Sequence, residues 1–139
     1  MVVLRSSFNF DSKKTESDQS RAIGITEIIP TEGAFFDFEA KYKGKSQEIT
    51  PARISEGLRT QIETISQTVY DHLNLKGIVR IDYIINESDQ PVLIEVNSIP
   101  GLSAASIIPQ QVASRNWSLA TVLSTLAEEH MAAHTEKNS

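Results

Sequence analysis

Two runs rich in β-branched residues, 78–85 and 92–99, are separated by the turn-like stretch 86–90, and Pro100 and Gly101 close the second. Runs of this length bounded by turn residues predict the two strands of a β-hairpin. Strand alternation assigns the faces: Ile78, Arg80, Asp82 and Ile84 share one on the first strand, and Leu93, Glu95, Asn97 and Ile99 share one on the second. Each strand then carries two polar groups between apolar neighbours. That is costly unless the groups pair with one another or hold an ion.

The chain supplies partners for such a hairpin. Leu58, Ile62, Ile65, Val69 and Leu73 recur at helical spacing, with Ser55 as N-cap and Gly77 as the residue that stops the helix. Upstream, residues 2–10 and 22–29 read as another antiparallel hairpin around a long polar tip at 11–21, with Pro30 ending its second strand. The aromatic and charged segment 35–42 carries no clear helix or strand pattern, and 102–116 reads as a loop. Leu119, Val122, Leu123 and Leu126 form a further apolar stripe behind Ser118. From residue 132 onward apolar content falls, and a frayed tail is expected. The pattern predicts an α+β module, an antiparallel sheet with packed helices.

At 139 residues the chain has room for one domain or part of one. Its net charge of −5 gives no electrostatic reason to bind nucleic acid or an anionic membrane. It has no cysteine, which excludes disulfide scaffolds, thiolate metal sites and thiol nucleophiles. No apolar run approaches the ~18 residues of a membrane span, and a soluble, cytoplasmic protein is expected.

On the hairpin, Glu95 and Asn97 would lie ~7 Å apart, with a directly opposed residue at ~5 Å. Two carboxylates and an amide oxygen are hard ligands that suit magnesium rather than zinc. Arg80 would address the same anion as the ion. The same side chains would equally make an ordinary cross-strand ion-pair cluster. The small-residue loop from Ser98 to Ser106 could bring backbone N–H groups close to an oxyanion, or be a plain turn. His130 and His134 have zincin spacing, but Met131 stands where a glutamate is required. His72 reads as a surface residue and Trp117 as a core or subunit-contact residue.

Three stretches carry a resemblance: Phe36-Asp37-Phe38-Glu39-Ala40-Lys41-Tyr42 with Thr50-Pro51-Ala52, then Gly77-Ile78-Val79-Arg80-Ile81-Asp82, then Glu95-Val96-Asn97-Ser98-Ile99-Pro100-Gly101. In that order they resemble the C-terminal part of the D-alanine:D-alanine ligases, an ATP-grasp family. The resemblance implies a division into an N-terminal hairpin segment (1–24), a C-terminal ATP-grasp subdomain (25–131) and the tail (132–139). It implies that Asp82, Glu95 and Asn97 hold two magnesium ions, for which manganese can substitute, with Glu95 bridging them. Arg80 would hold the transferred phosphate and the developing oxyanion, and the Gly101 N–H would stabilise that oxyanion. Ser106 would receive the carboxylate of the second amino acid, and Lys41 with Tyr42 would close over the substrates. ATP and D-alanine are the implied substrates, in peptidoglycan precursor synthesis. A homodimer is the protein partnership kept open.

Three departures qualify this expectation, the first being that the polar tip at 11–21 is longer than the short turn expected there. Nothing before residue 25 resembles the family's other subdomains, so the chain is expected to be a catalytic fragment inactive alone. Phe38 stands where a tyrosine is common. Two alternatives remain at this stage: a carboxylate–amine ligase with another acceptor such as D-lactate, and a non-catalytic binding module on the same scaffold.

Overall fold

The β-branched runs all become strands, and they join a single sheet. The computed structural model describes residues 2–10, 20–30 and 46–137. Strands β1 (Val2–Phe10), β2 (Ser20–Pro30), β3 (Ser46–Ile49), β4 (Val79–Ile85) and β5 (Pro91–Asn97) lie in the order β3-β2-β1-β4-β5. Every neighbouring pair is antiparallel. Helices α1 (Glu56–His72), α2 (Ile107–Ser114) and α3 (Leu119–Lys137) complete the α+β architecture. The two expected hairpins are halves of this sheet, joined by β1–β4 pairing from Val2↔Ile85 to Phe8↔Val79.

Period-two alternation explains how the helices are distributed. Val79, Ile81 and Tyr83 of β4 are fully buried in one core with Ile25 of β2 and Ile62 and Tyr70 of α1. The opposite face carries Ile28 and Ile84 against Ile107 of α2. Ile23 joins this second face, packing on Ile108 and Val112. It does so because Ser7 opposes Gly24 while Phe8 opposes Ala22, which leaves Ile23 as the extra residue of a bulge. The sheet therefore has α1 on one face and α2 on the other.

Ser55 caps α1 as expected, its Oγ accepting from Leu58 N at 3.2 Å. The helix stops earlier than the sequence suggests. Leu73 is already the C-cap, and Asn74 takes the left-handed conformation (φ 50°) three residues before Gly77 (φ 66°). Asparagine tolerates that region through local hydrogen bonding, so glycine is not needed there. Leu73, expected in the apolar stripe, is consequently 58% exposed.

Two elements go beyond the sequence expectation. Strand β3 is a four-residue edge strand in a charged stretch, and α2 occupies the middle of the segment read as a loop. Helix α2 escapes notice because it is short, contains Pro109 and turns a polar residue, Gln111, inward. Proline is tolerated in a first turn, where its missing N–H has no intrahelical partner to lose. Helix α3 continues through residues 132–137, the stretch expected to fray. Residues 11–19 of the polar tip, and the segment 31–45 with Lys41 and Tyr42, lie outside the described residues.

Candidate active site

The β4–β5 pairing sets Asp82 directly opposite Glu95 and Arg80 directly opposite Asn97. All four share the α2 face, because Val79, Ile81 and Tyr83 occupy the α1 face. The register shifts just beyond: Tyr83 opposes Leu93, so Ile94 is the extra residue of a bulge. This corrects the expected alternation. Leu93 falls opposite Tyr83 rather than beside Glu95, and Ile99 lies past the end of β5, 88% exposed.

Within the cluster the Arg80 guanidinium forks onto Asp82, with Nε–Oδ1 at 2.9 Å and Nη2–Oδ2 at 3.3 Å. Its Nη2 also lies 3.7 Å from Glu95 Oε1. Asp82 is buried while the Glu95 side chain is 43% exposed, so the arginine joins an interior carboxylate to one that reaches solvent. Asn97 Oδ1 accepts from Ile99 N at 3.0 Å, which fixes the amide as the chain leaves β5.

The loop that follows ends at the N-cap of α2, Ser106. Ser106 makes no side-chain cap hydrogen bond; its hydroxyl pairs with that of Ser103 at 2.8 Å. A Cβ on Gly101 would sit 2.9 Å from Ser106 Oγ, closer than real side chains approach, so glycine is required for this packing. The structure thus brings Arg80, Asp82 and Glu95 together around one guanidinium, with Asn97 in register, and brings Gly101 against Ser106.

Among the described residues no three His, Cys, Asp or Glu side chains converge as a metal cluster. The oxygen donors at β4–β5 are two carboxylates and one amide, a set that fits a hard divalent cation completed by other oxygens. His72, by contrast, is an exposed residue hydrogen-bonded to Thr68 O at 2.9 Å. Trp117 is 48% exposed beneath the Arg115 guanidinium, 5.9 Å from the ring centroid. The sequence reading passed over the Ser103–Ser106 pair, although serines three apart before an apolar run were its signal. It also missed the link from Gln111 to Thr26, which no local pattern announces.

A family model described as the D-ala D-ala ligase C-terminus matches residues 12–128, and the chain belongs to that family. A D-alanine–D-alanine ligase of Bacteroides fragilis is 43% identical over 111 residues, which are 80% of this chain and 34% of that protein. The chain therefore spans about a third of the length of the curated relatives it matches. Among solved structures, a D-alanine–D-alanine ligase from Bacillus anthracis complexed with ATP has the same fold, with TM-score 0.70 and 19% identity over 98% of this chain and 40% of that one. A VanG D-Ala:D-Ser ligase from Enterococcus faecalis aligns with TM-score 0.72 and 28% identity over 91% of this chain and 35% of that one.

Proposed function

We propose that this chain is the C-terminal module of an ATP-dependent D-alanine:D-alanine ligase of the cytoplasm, acting in peptidoglycan precursor synthesis. The observation that carries the reading is Asp82 opposed to Glu95 with Arg80 bridging them. In the reaction the carboxylate of one D-alanine takes the terminal phosphoryl group of ATP. The amine of a second D-alanine then attacks the acyl phosphate, forming the amide and releasing phosphate.

Asp82, Glu95 and Asn97 would hold magnesium, or manganese in its place, which neutralises phosphate charge during transfer. Arg80, anchored by Asp82, presents its remaining N–H groups to the transferred phosphate and the oxyanion. The Gly101 N–H supplies a second donor to that oxyanion. The Ser106 hydroxyl receives the acceptor carboxylate, and Lys41 and Tyr42 close over the substrates.

The D-Ala:D-Ser ligase match favours one second reading, the same chemistry with another acceptor. Both are tested in a chimaera with this chain in place of the matching region of the Bacteroides fragilis ligase. Phosphate release that requires ATP, magnesium and D-alanine, and disappears in Glu95→Gln, is the expected result. Release unaffected by Glu95→Gln would leave a binding module. Competition among D-alanine, D-serine and D-lactate assigns the acceptor.

A further inference from the structure

Helix α2 carries two glutamines that reach distant parts of the chain. Gln111 is fully buried, and its Nε2 donates to Thr26 Oγ1, also fully buried, at 3.0 Å. The Thr26 and Thr50 hydroxyls are 2.6 Å apart. A hydroxyl has one proton and two lone pairs, so Thr26 can accept from Gln111 and still bond Thr50. Gly24 makes room for this arrangement: a Cβ there would lie 3.2 Å from Gln111 Cβ and 3.3 Å from its Cγ. Beside it, Gln110 Nε2 donates to Glu48 Oε2 at 2.9 Å. Both glutamines therefore lead to β3 or the residue just after it. At the other end of α2, Ser106 is the N-cap.

An apolar side chain at 111 could fill the space over Gly24 but would not select one alignment of α2 on the sheet. The buried Gln111–Thr26 hydrogen bond does select one, because sliding the helix would break it in a low-dielectric interior. We propose that Gln111 is a positioning residue: through Thr26 and Thr50 it ties α2, and with it the Ser106 hydroxyl, to the end of β3. The role of Ser106 in this statement rests on the acceptor reading above; the coupling itself does not. Its consequence is that the acceptor side of the site and residues 46–50 open together, not separately.

Hydrogen exchange on the full chain tests the coupling with isosteric variants. Thr50→Val removes the hydroxyl and keeps the shape, whereas Thr50→Ser keeps the hydroxyl. The expected result is that Thr50→Val speeds exchange of the α2 amides about five- to tenfold, the equivalent of one buried hydrogen bond. Thr50→Ser should leave those amides close to wild type, a rescue that loss of packing alone does not give. Gln111→Leu is the reciprocal variant, and it should speed exchange around residues 46–50. Exchange changes confined to the mutated element, or no rescue by serine, would overturn the proposal. A titration with D-alanine, followed by NMR, separates the two readings. Coupled exchange with a Ser106 amide that does not respond to D-alanine in the chimaera, with ATP and magnesium present, supports the coupling and overturns the acceptor role.

Discussion

Asp82 and Glu95 face each other across the β4–β5 pairing, yet their side chains are 6% and 43% exposed. The buried one fixes Arg80 in a two-point fork, and the other reaches solvent. Arg80 is thus held in one orientation by the fold itself. Arg80→Met, which keeps much of the volume, should destabilise the chain by about 1–3 kcal/mol, because a buried carboxylate loses a charged partner. Arg80→Lys should cost less stability but still reduce turnover of the chimaera strongly, since an ammonium lacks the planar fork. Urea midpoints and phosphate-release rates separate the two effects; wild-type turnover in Arg80→Lys would return Arg80 to an ion-pair role.

Glu95→Gln should behave in the opposite way. The side chain is nearly half exposed, so stability is expected to stay within ~0.5 kcal/mol of wild type. Magnesium-dependent turnover of the chimaera should disappear. A large loss of stability with unchanged turnover would make Glu95 structural.

The sequence made the site legible because strand alternation is a rigid rule. Once residues 78–85 and 92–99 were strands, Arg80 shared a face with Asp82 and Glu95 with Asn97, and the β4–β5 register then sets the two pairs opposite each other. It failed at Leu93, because the bulge at Ile94 comes from backbone pairing and leaves no mark in local composition. It failed at α2 for a different reason: Gln111 breaks the apolar stripe, and its partners lie on β2 and just past β3, 85 and 61 residues away in sequence. Long-range polar complementarity cannot be read from a window. The early end of α1 at Leu73 was ambiguous because two residues, Asn74 and Gly77, could each take the left-handed conformation, and both do.

Glu27 gives the fold a pH dependence. It is buried on β2, and both carboxylate oxygens are engaged by Arg53, Nε at 3.0 Å and Nη2 at 3.2 Å. Hydrogen bonds from the Arg53 side chain hold its pKa below the usual carboxylate value, against the opposing effect of burial. A carboxylate with a depressed folded pKa contributes stability above its unfolded pKa and loses it as pH falls through the folded one. The stability gap between wild type and Arg53→Met should therefore be full at neutral pH and close as pH drops below 4.5. Denaturation curves from about pH 7 to about pH 3 check this; a gap independent of pH would remove Glu27 as its source.

On the α1 face, Tyr83 OH and Ser66 Oγ are 2.6 Å apart and both residues are fully buried. Burial raises the Tyr83 pKa, so the folded state favours the protonated phenol. The stability this provides is present below the unfolded pKa and lost as pH rises through the folded one. Tyr83→Phe and Ser66→Ala should each cost about 1 kcal/mol or more by stranding the partner. The double variant should cost less than their sum, since nothing remains stranded. Additive losses in a double-mutant cycle would mean that each hydroxyl has another partner.

Gly101 and Ser106 constrain each other through space rather than through a bond. A Cβ at 101 would lie 2.9 Å from Ser106 Oγ, so Gly101→Ala must displace either the loop or the serine hydroxyl. Ser106 Oγ is also the partner of Ser103 Oγ at 2.8 Å, and Ser106 N donates to Ser103 O at 2.8 Å. The backbone bond holds the residue in place while the hydroxyl swings away. Gly101→Ala is thus expected to break the hydroxyl pair, move the α2 N-cap chemical shifts and raise KM for the acceptor amino acid in the chimaera. Adding Ser106→Ala removes the clashing oxygen and should restore the loop shifts without restoring KM. The two variants separate space from chemistry: steric relief returns the loop conformation, and only the hydroxyl returns the acceptor contact. Recovery of KM in Gly101→Ala/Ser106→Ala would show that the Ser106 hydroxyl does not touch the acceptor.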